Sequence, residues 1–403
     1  LGSPDIEMDH ADGYLATMAS HHIVVDGVER REQIRTQAAA LATSVGGRIP
    51  DDPGLLAEVT NLVERPTAML GRFEPEYLAL PQDVLVTVMK KHQRYFPVVH
   101  PESGQLMPFF VAVRNGDEHN LDVVREGNED VVRARFADAK FFYENDTRQP
   151  LESFLPRLDT LTFQEDLGSM LDKSERLEKL VPVIGQALGL DDAQQAFAQR
   201  AAHLCKADLA TQLVIELTSL QGLMGCEYAL LSGEEEAVAT AILEHYLPRS
   251  AGDELPETRP GLALGLANRL DSLAGLFAVG LAPTGSADPY GMRRDALGIV
   301  QTLAHKEIPL ALRPLLVEAA ALMPVPVSDE VLAETSTFIT GRLRSWLRDQ
   351  GFRHDVVDAV LTERGANPFG AYRTVVQLAA WVERDDWPDL LNAYGRCIRI
   401  VRD

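Results

Sequence analysis

The sequence predicts an α+β fold that is mostly α-helical, with an N-terminal α/β module, a central helical core and a C-terminal helical region. Nearly all strand-like runs lie before Leu151, whereas apolar residues after it recur at steps of three or four, the period of an α-helix. The chain has 403 residues, which is long for one core. We therefore predict three domains, at residues 5–150, 151–305 and 306–403.

The N-terminal module is expected to mix helices with one hairpin. Strands are predicted at Tyr95–Val99 and Phe109–Val113, because a Pro/Gly/Ser-rich turn separates two β-favouring runs. Helical periodicity precedes and follows them, with Gly46-Gly47 as a stop signal for the first helix. The predicted helices are Val28–Val45, Leu55–Val63, Pro81–Lys91 and Asn120–Tyr143.

The central region is predicted to be built around Arg200–Gly225 as one long helix with a buried face. Asp208, Gln212 and Glu216 would then form an i, i+4 row beside its apolar stripe. Asp288 is expected to cap a further helix with Pro289 in its first turn. The other central helices are predicted at Leu167–Leu188, Ala237–Pro248 and Leu262–Phe277, and broken helical segments follow from Leu310 to Asp403.

Composition restricts the function. Lys and Arg number 38 against 60 Asp and Glu, a net charge of −22, so any nucleic-acid contact requires a local basic patch. Three widely spaced cysteines without a CxxC motif predict neither a disulfide framework nor a zinc ribbon. No run of 18 apolar residues occurs, so no membrane contact is expected. No P-loop, GxGxxG, HExxH or nucleophile elbow is present.

Polar residues on the central helices form a candidate metal site of the HD-phosphohydrolase type, which uses His and Asp from several helices. Such a site needs an adjacent His-Asp pair, but here His203 and Asp208 are separated, and an amide occupies the late carboxylate position. Lys206 would also repel a metal. We therefore expect a degenerate HD-like site without metal, whose polar groups satisfy one another. Its members are His203, Asp208, His245, Asn268 and Asp271.

Two basic sites are candidates for phosphate contacts. Lys90, Lys91 and Arg94 close a helix, and Tyr95 follows them as a possible stacking face. Arg293 and Arg294 form the second site. The alternative for the first is a helix C-terminus that favours cations, next to buried aromatics; for the second it is a solvated helix face.

Five blocks together resemble the β subunit of bacterial heterotetrameric glycyl-tRNA synthetase. The resemblance runs from about Asp9 to at least Leu361, with the blocks in the family's order. The blocks are KKHQRYFPVV (Lys90–Val99), NEDVVRARFADAKFFYENDT (Asn128–Thr147), LPRLDTLTFQEDLGSMLDKSERL (Leu155–Leu177), LCKADLATQLVIELTSLQGLMG (Leu204–Gly225) and PTGSADPYGMRRDALGIV (Pro283–Val300).

The resemblance implies a division of labour within a cytoplasmic α2β2 assembly. In this family the α subunit holds the class II catalytic core, where ATP and Mg²⁺ are expected, and the β subunit binds tRNA(Gly). The resemblance therefore implies no catalytic residue, cofactor or metal on this chain. It also implies that residues 151–305 are HD-like. The family's β chain is longer at both ends, so we expect a fragment that lacks the N-terminal portion and the C-terminal anticodon-binding end, inactive by itself.

Two alternatives remain open at the level of sequence. One is a metal-dependent HD-type phosphohydrolase, which bound metal and activity abolished by His245→Ala would favour. The other is a purely architectural protein-interaction module, which binding of the α subunit without any binding of tRNA would favour.

Overall fold

A computed structural model describes residues 6, 8 and 10–401 of the chain. It is mostly helical with a small sheet, as the sequence predicts. The chain forms two compact units: the first comprises the residues up to Arg148 together with Gln212–Leu220, and the second comprises Gln149–Thr211 together with the residues from Gln221 onward. The three-domain division of the sequence stays a prediction.

Seventeen α-helices occur within the described part of the chain. The first eight are α1 Tyr14–Ser20, α2 Gly27–Ser44, α3 Pro53–Leu62, α4 Gln82–Thr87, α5 Leu121–Asp146, α6 Met170–Leu188, α7 Asp192–Leu204 and α8 Gln212–Glu216. The others are α9 Leu223–Leu231, α10 Glu236–Glu244, α11 Arg259–Ala278, α12 Met292–His305, α13 Leu312–Ala321, α14 Asp329–Asp349, α15 His354–Arg364, α16 Pro368–Val382 and α17 Trp387–Val401. None of them is both long and apolar enough to cross a membrane.

A three-stranded antiparallel sheet organises the first unit. Its strands are β1 Pro66–Arg72, β2 Phe96–Val99 and β3 Leu106–Asn115, in the order β1-β3-β2. The predicted β2–β3 hairpin is therefore confirmed. Strand β1 was not predicted, because Pro66 and Gly71 interrupt its β-favouring pattern. Gly71 is required there, since a Cβ would lie 2.3 Å from the Phe110 ring.

Helices α2 and α3 supply the apolar layer against this sheet. Ile34 and Ala38 of α2 and Val59 of α3 are buried with Val98 and Val111 of the sheet in one cluster. After α4 the chain continues through a π-helical turn, Val88–His92, which ends the helix that the sequence predicts from Pro81. This turn contains Lys90 and Lys91 of the first predicted basic site.

Helix α11 forms the centre of the second unit and is buried around nearly its whole circumference. It packs against α6, α7, α10, α12 and α13. Helix α6 starts at a capping box of Ser169 and Asp172 and ends at left-handed Gly189, so it lies within two or three residues of the predicted Leu167–Leu188 at its start and matches it at its end. A short antiparallel pair, β4 Thr162–Gln164 and β5 Gly168–Ser169, precedes it.

The prediction of one long helix from Arg200 to Gly225 is wrong. Helix α7 ends at Leu204, and the chain then alternates between 3₁₀ turns and the short helix α8 before α9 begins. Two carboxylates accept backbone N–H groups at these breaks: Asp208 from Gly222 at 2.6 Å, and Asp146 from Gln212 at 2.9 Å. Asp208 is consequently buried whereas Gln212 is exposed, so the predicted i, i+4 row does not exist.

The start of α12 differs from its prediction by one turn. Asp288 accepts hydrogen bonds from the N–H groups of Met292 and Arg293, each at 2.9 Å, so it does cap the helix. Pro289 lies before the helix and not in its first turn, because left-handed Gly291 makes the entry. The apolar face of α12 is buried and consists of Met292, Ala296, Ile299 and Leu303.

Candidate functional site

His245, a member of the candidate metal site, is hydrogen-bonded to a lysine. His245 follows α10 and Lys206 follows α7, and both side chains are buried. The Lys206 Nζ lies 2.7 Å from His245 Nε2, and His245 Nδ1 lies 2.5 Å from the carbonyl oxygen of Ile242. Because a carbonyl only accepts, Nδ1 carries the imidazole proton and Nε2 accepts from Lys206. The ammonium also lies 4.2 Å from the centre of the Tyr246 ring.

Burial governs the charge of this pair. It lowers the pKa of Lys206 to about 8, and together with the Lys206 charge it lowers the pKa of His245 well below its usual range. A neutral imidazole agrees with the tautomer that the hydrogen bonds require. The site therefore holds one cationic group of its own at neutral pH, beside the nitrogen that a metal would need.

Asp271 on α11 is fully engaged by two cations from α6. Its carboxylate accepts from Lys173 Nζ at 2.6 Å and from Arg176 Nε at 2.7 Å, and Ser272 Oγ lies 3.0 Å from Lys173 Nζ. Burial alone would raise the pKa of Asp271, but Lys173 and Arg176 hold it below its ordinary value. Neither oxygen is free to bind a metal ion.

Asp208 is buried and Asn268 is half-buried, and the polar side chains of both are only partly satisfied. The second oxygen of Asp208 and the side-chain oxygen of Asn268 have no hydrogen-bond partner among the described residues. Burial raises the pKa of Asp208 to about 6. His245 and Asp271 are thus satisfied by cations outside the predicted set, whereas Asp208 and Asn268 are satisfied only in part.

His203 lies apart from these groups on an accessible surface. Its Nδ1 is 2.7 Å from Glu178 and its Nε2 is 3.1 Å from Glu152. In residues 10–401, no three His, Cys, Asp or Glu side chains come together as metal ligands. Because Lys206 holds His245, and Lys173 and Arg176 hold Asp271, these donor groups do not fit a hydrolytic metal centre.

The cations that neutralise this core were not predicted from the sequence. Lys173 and Arg176 lie on the same buried side of α6 as Leu177 and Leu180, so two charges on an apolar stripe were the available signal. Arg269 was also missed. It is buried and donates to the carbonyl oxygens of the segment 245–248, with the shortest contact, 2.7 Å, to Leu247.

The basic edge in the first unit contains both paired and unpaired cations. Lys90 forms an ion pair with Asp52, and Arg94 forms one with Glu58 at 2.8 Å. Lys91 is exposed and makes no ion pair with the residues that the structure describes. Among these three candidates, Lys91 alone has no such partner within the described chain.

Tyr95 does not provide the exposed stacking face that the sequence suggested. It is 8% exposed, its ring stacks on Phe110 at 4.8 Å, and its hydroxyl donates to Asn128. Burial raises its pKa. The ring belongs to the core of the first unit, because it turns inward as β2 begins.

The two arginines of the second predicted basic site also differ in their contacts. Arg293 donates to the carbonyl oxygen of Gly285 at 2.8 Å and so braces the loop before α12. Arg294 is exposed and forms no ion pair with any described residue. Arg294 is therefore the accessible cation of this pair.

The sequence matches a model of the family described as "Glycyl-tRNA synthetase beta subunit" over residues 1–362. It is 45% identical over 398 residues to the glycine–tRNA ligase beta subunit of Clostridioides difficile, covering 98% of this chain and 57% of that protein. The corresponding subunit of Desulforamulus reducens is 43% identical, covering 100% of this chain and 58% of the relative.

A plant relative extends the comparison. Arabidopsis thaliana "Glycine--tRNA ligase, chloroplastic/mitochondrial 2" is 43% identical over 99% of this chain and 37% of its own length. The chain thus spans little more than half the length of the bacterial relatives above. Since the family model matches most of the sequence, the chain belongs to the glycyl-tRNA synthetase β subunit family.

Proposed function

We propose that this chain is a β-subunit part of a glycine–tRNA ligase, which binds and positions tRNA(Gly) and supports a catalytic α subunit in ATP-dependent glycylation. The family match over residues 1–362 is the observation that carries the proposal. The bacterial relatives described above bear the name glycine–tRNA ligase beta subunit. An α2β2 assembly in the cytoplasm belongs to the same proposal.

Glycyl-adenylate formation and transfer to the tRNA take place on the α subunit in this proposal, where ATP and Mg²⁺ would bind. This chain acts by holding tRNA and partner in register, and such positioning alone can contribute several kcal/mol to a reaction barrier. The sequence contains no P-loop or acyl-transfer motif that would assign bond-making to it.

Residues 151–305 are proposed to form an HD-like domain whose former metal position supports the fold. Lys206 beside His245, and Lys173 with Arg176 around Asp271, support this part of the proposal, because protein cations neutralise the carboxylate and occupy the imidazole. No phosphoester hydrolysis is assigned to it.

The binding of tRNA is tested by filter binding of tRNA(Gly) over a range of salt concentrations. Lys91→Ala is expected to weaken binding and to reduce the salt slope by about 1, as the loss of one phosphate contact does. Lys90→Ala and Arg94→Ala should have smaller effects, because Asp52 and Glu58 already neutralise these cations.

Lys179→Ala is the matched control, because Lys179 is also an exposed lysine on a helix without an ion pair to any described residue. Equal affinities and equal salt slopes for Lys91→Ala and the unmodified protein would remove the basic edge from the proposal.

A further inference from the structure

A recess of about 210 Å³ lies within the first unit, formed by the π-helical turn, α5 and the end of α8. Phe142 and Leu217 provide apolar wall, and both are half-buried. Its polar groups are His92, Arg135, Asp138 and Glu216. Ligand pockets for drug-sized molecules begin at roughly 300 Å³, so this recess suits one planar group better than a whole nucleotide.

The polar groups of the recess are not used by the fold. None of the four side chains forms an ion pair or a hydrogen bond with the residues that the structure describes, and all four are exposed. Lys90 and Arg94 nearby in the sequence are paired instead. Side chains without internal partners around an aromatic wall remain available to a ligand.

We propose that this recess binds a single unstacked guanine base of RNA. Guanine presents N–H donors along its Watson–Crick edge and the acceptors O6 and N7 on the other edge. Asp138 and Glu216 accept from the donors, Arg135 donates to the acceptors, and Phe142 contacts the base face, which is how single-stranded RNA is usually recognised. The inference rests on the proposed function and names the kind of tRNA element that the first unit holds.

The charges of the recess match the two edges of guanine. A phosphate would be repelled by Asp138 and Glu216, whereas a neutral base can donate to these carboxylates and accept from Arg135 at once. The phosphate that adjoins the base lies outside the recess, where exposed Lys91 directly precedes His92 along the chain.

The test measures binding of RNA pentamers to the full chain by fluorescence anisotropy at low salt. The central base is guanine, inosine (which lacks the 2-amino group), 7-deazaguanine (which lacks N7) or adenine, between uridines. The unmodified chain should prefer guanine to each analogue by about tenfold, the value of one good base contact. Glu216→Gln and Asp138→Asn should remove the preference for guanine over inosine. Arg135→Gln should remove the preference for guanine over 7-deazaguanine.

Matched controls are available on α5 and directly after it. Phe142→Leu should weaken all base-containing ligands, whereas Phe141→Leu should not, because Phe141 is 60% exposed and does not line the recess. Glu144→Gln is the control for the carboxylate variants and Arg148→Gln is the control for Arg135→Gln, because Glu144 and Arg148 are exposed and lie outside the recess.

Each other outcome overturns the inference in a recognisable way. Equal binding of all four pentamers by a chain that still binds tRNA(Gly) removes the guanine site and leaves the proposed function intact. Recess variants that weaken binding of the α subunit but not of RNA assign the recess to a protein side chain. A chain that binds neither pentamers nor tRNA removes the tRNA-binding proposal as well.

Discussion

Lys206 is an amine in a place where the fold disfavours its charge. Its pKa falls from 10.5 to about 8 through burial. Between pH 8 and pH 10.5 Lys206 is protonated in the unfolded chain and neutral in the folded chain. Because the unfolded chain binds more protons, the contribution of Lys206 to the free energy of unfolding rises with pH over this range.

Lys206→Met isolates this effect, because methionine is neutral and of similar length. The free energy of unfolding of the unmodified protein minus that of the variant should rise by about 1.4 kcal/mol per pH unit between pH 8 and pH 10. Urea denaturation across this range provides the measurement, and the subtraction removes most of the contribution of other titrating groups. Parallel pH curves for the two proteins would show that the ammonium is not disfavoured.

Asp271 also makes the protein more stable as pH rises, but it does so in the acid range. Asp271→Asn leaves Lys173 and Arg176 buried without their carboxylate, which should lower the free energy of unfolding by about 3–5 kcal/mol. Because the pKa of Asp271 is lowered in the folded state, its contribution is present above pH 4 and is lost as pH falls further. Asp159→Asn, at an exposed carboxylate outside this network, is the control; a similar loss in both variants would contradict the assignment.

Residue types alone indicated part of this arrangement. The sequence identified Lys206 as a cation that opposes metal binding, and Asn268 as an amide where a carboxylate was wanted. The partners could not be predicted, because Lys173 and Asp271 are 98 residues apart and meet only through the packing of α6 on α11. Pairings across helices depend on tertiary structure, which periodicity does not encode.

At the scale of elements, the segment between Leu204 and Leu223 shows where periodicity misleads. Its apolar residues fit a helical repeat, yet buried carboxylates cap its pieces and Gly222 adopts a φ of 80°. By contrast, the predicted end of α6 at Leu188 is correct, because Gly189 directly follows an uninterrupted repeat. Caps that come from distant residues leave no such local mark.

Gly222→Ala tests the turn that separates α8 from α9. A Cβ would lie 2.3 Å from the Tyr246 ring, so strain adds to the unfavourable φ. We expect the free energy of unfolding to fall by about 1 kcal/mol for the backbone and a further 1–3 kcal/mol for the clash.

Gly233→Ala is the control for the backbone effect alone, because its φ is 85° and nothing lies within 4 Å of the added Cβ. Thermal and urea unfolding of the two variants supply the comparison. Equal losses of stability would show that the Tyr246 ring does not press on this turn.

For the whole molecule, the sequence predicted a mostly helical chain with one hairpin, and both are observed. The family relationship was accessible because several unusual blocks occur in order, which is stronger than any single motif. Net charge was less informative: −22 argues against nucleic acid in general, yet exposed Lys91 and Arg294 remain without ion pairs among the described residues. Local accessibility could only be assigned once the ion pairs of Lys90 and Arg94 were known.

The central proposal is that this chain supports glycylation by positioning and performs no chemistry itself. The most direct measurement is glycyl-tRNA formation by an α subunit combined with the Clostridioides difficile relative, in which this chain replaces the matching segment. We predict charging of tRNA(Gly) by the combination and none when the segment is deleted. Two results would contradict the account. One is equal charging of tRNA(Gly) without the segment. The other is no charging by a folded combination that still binds both the α subunit and tRNA.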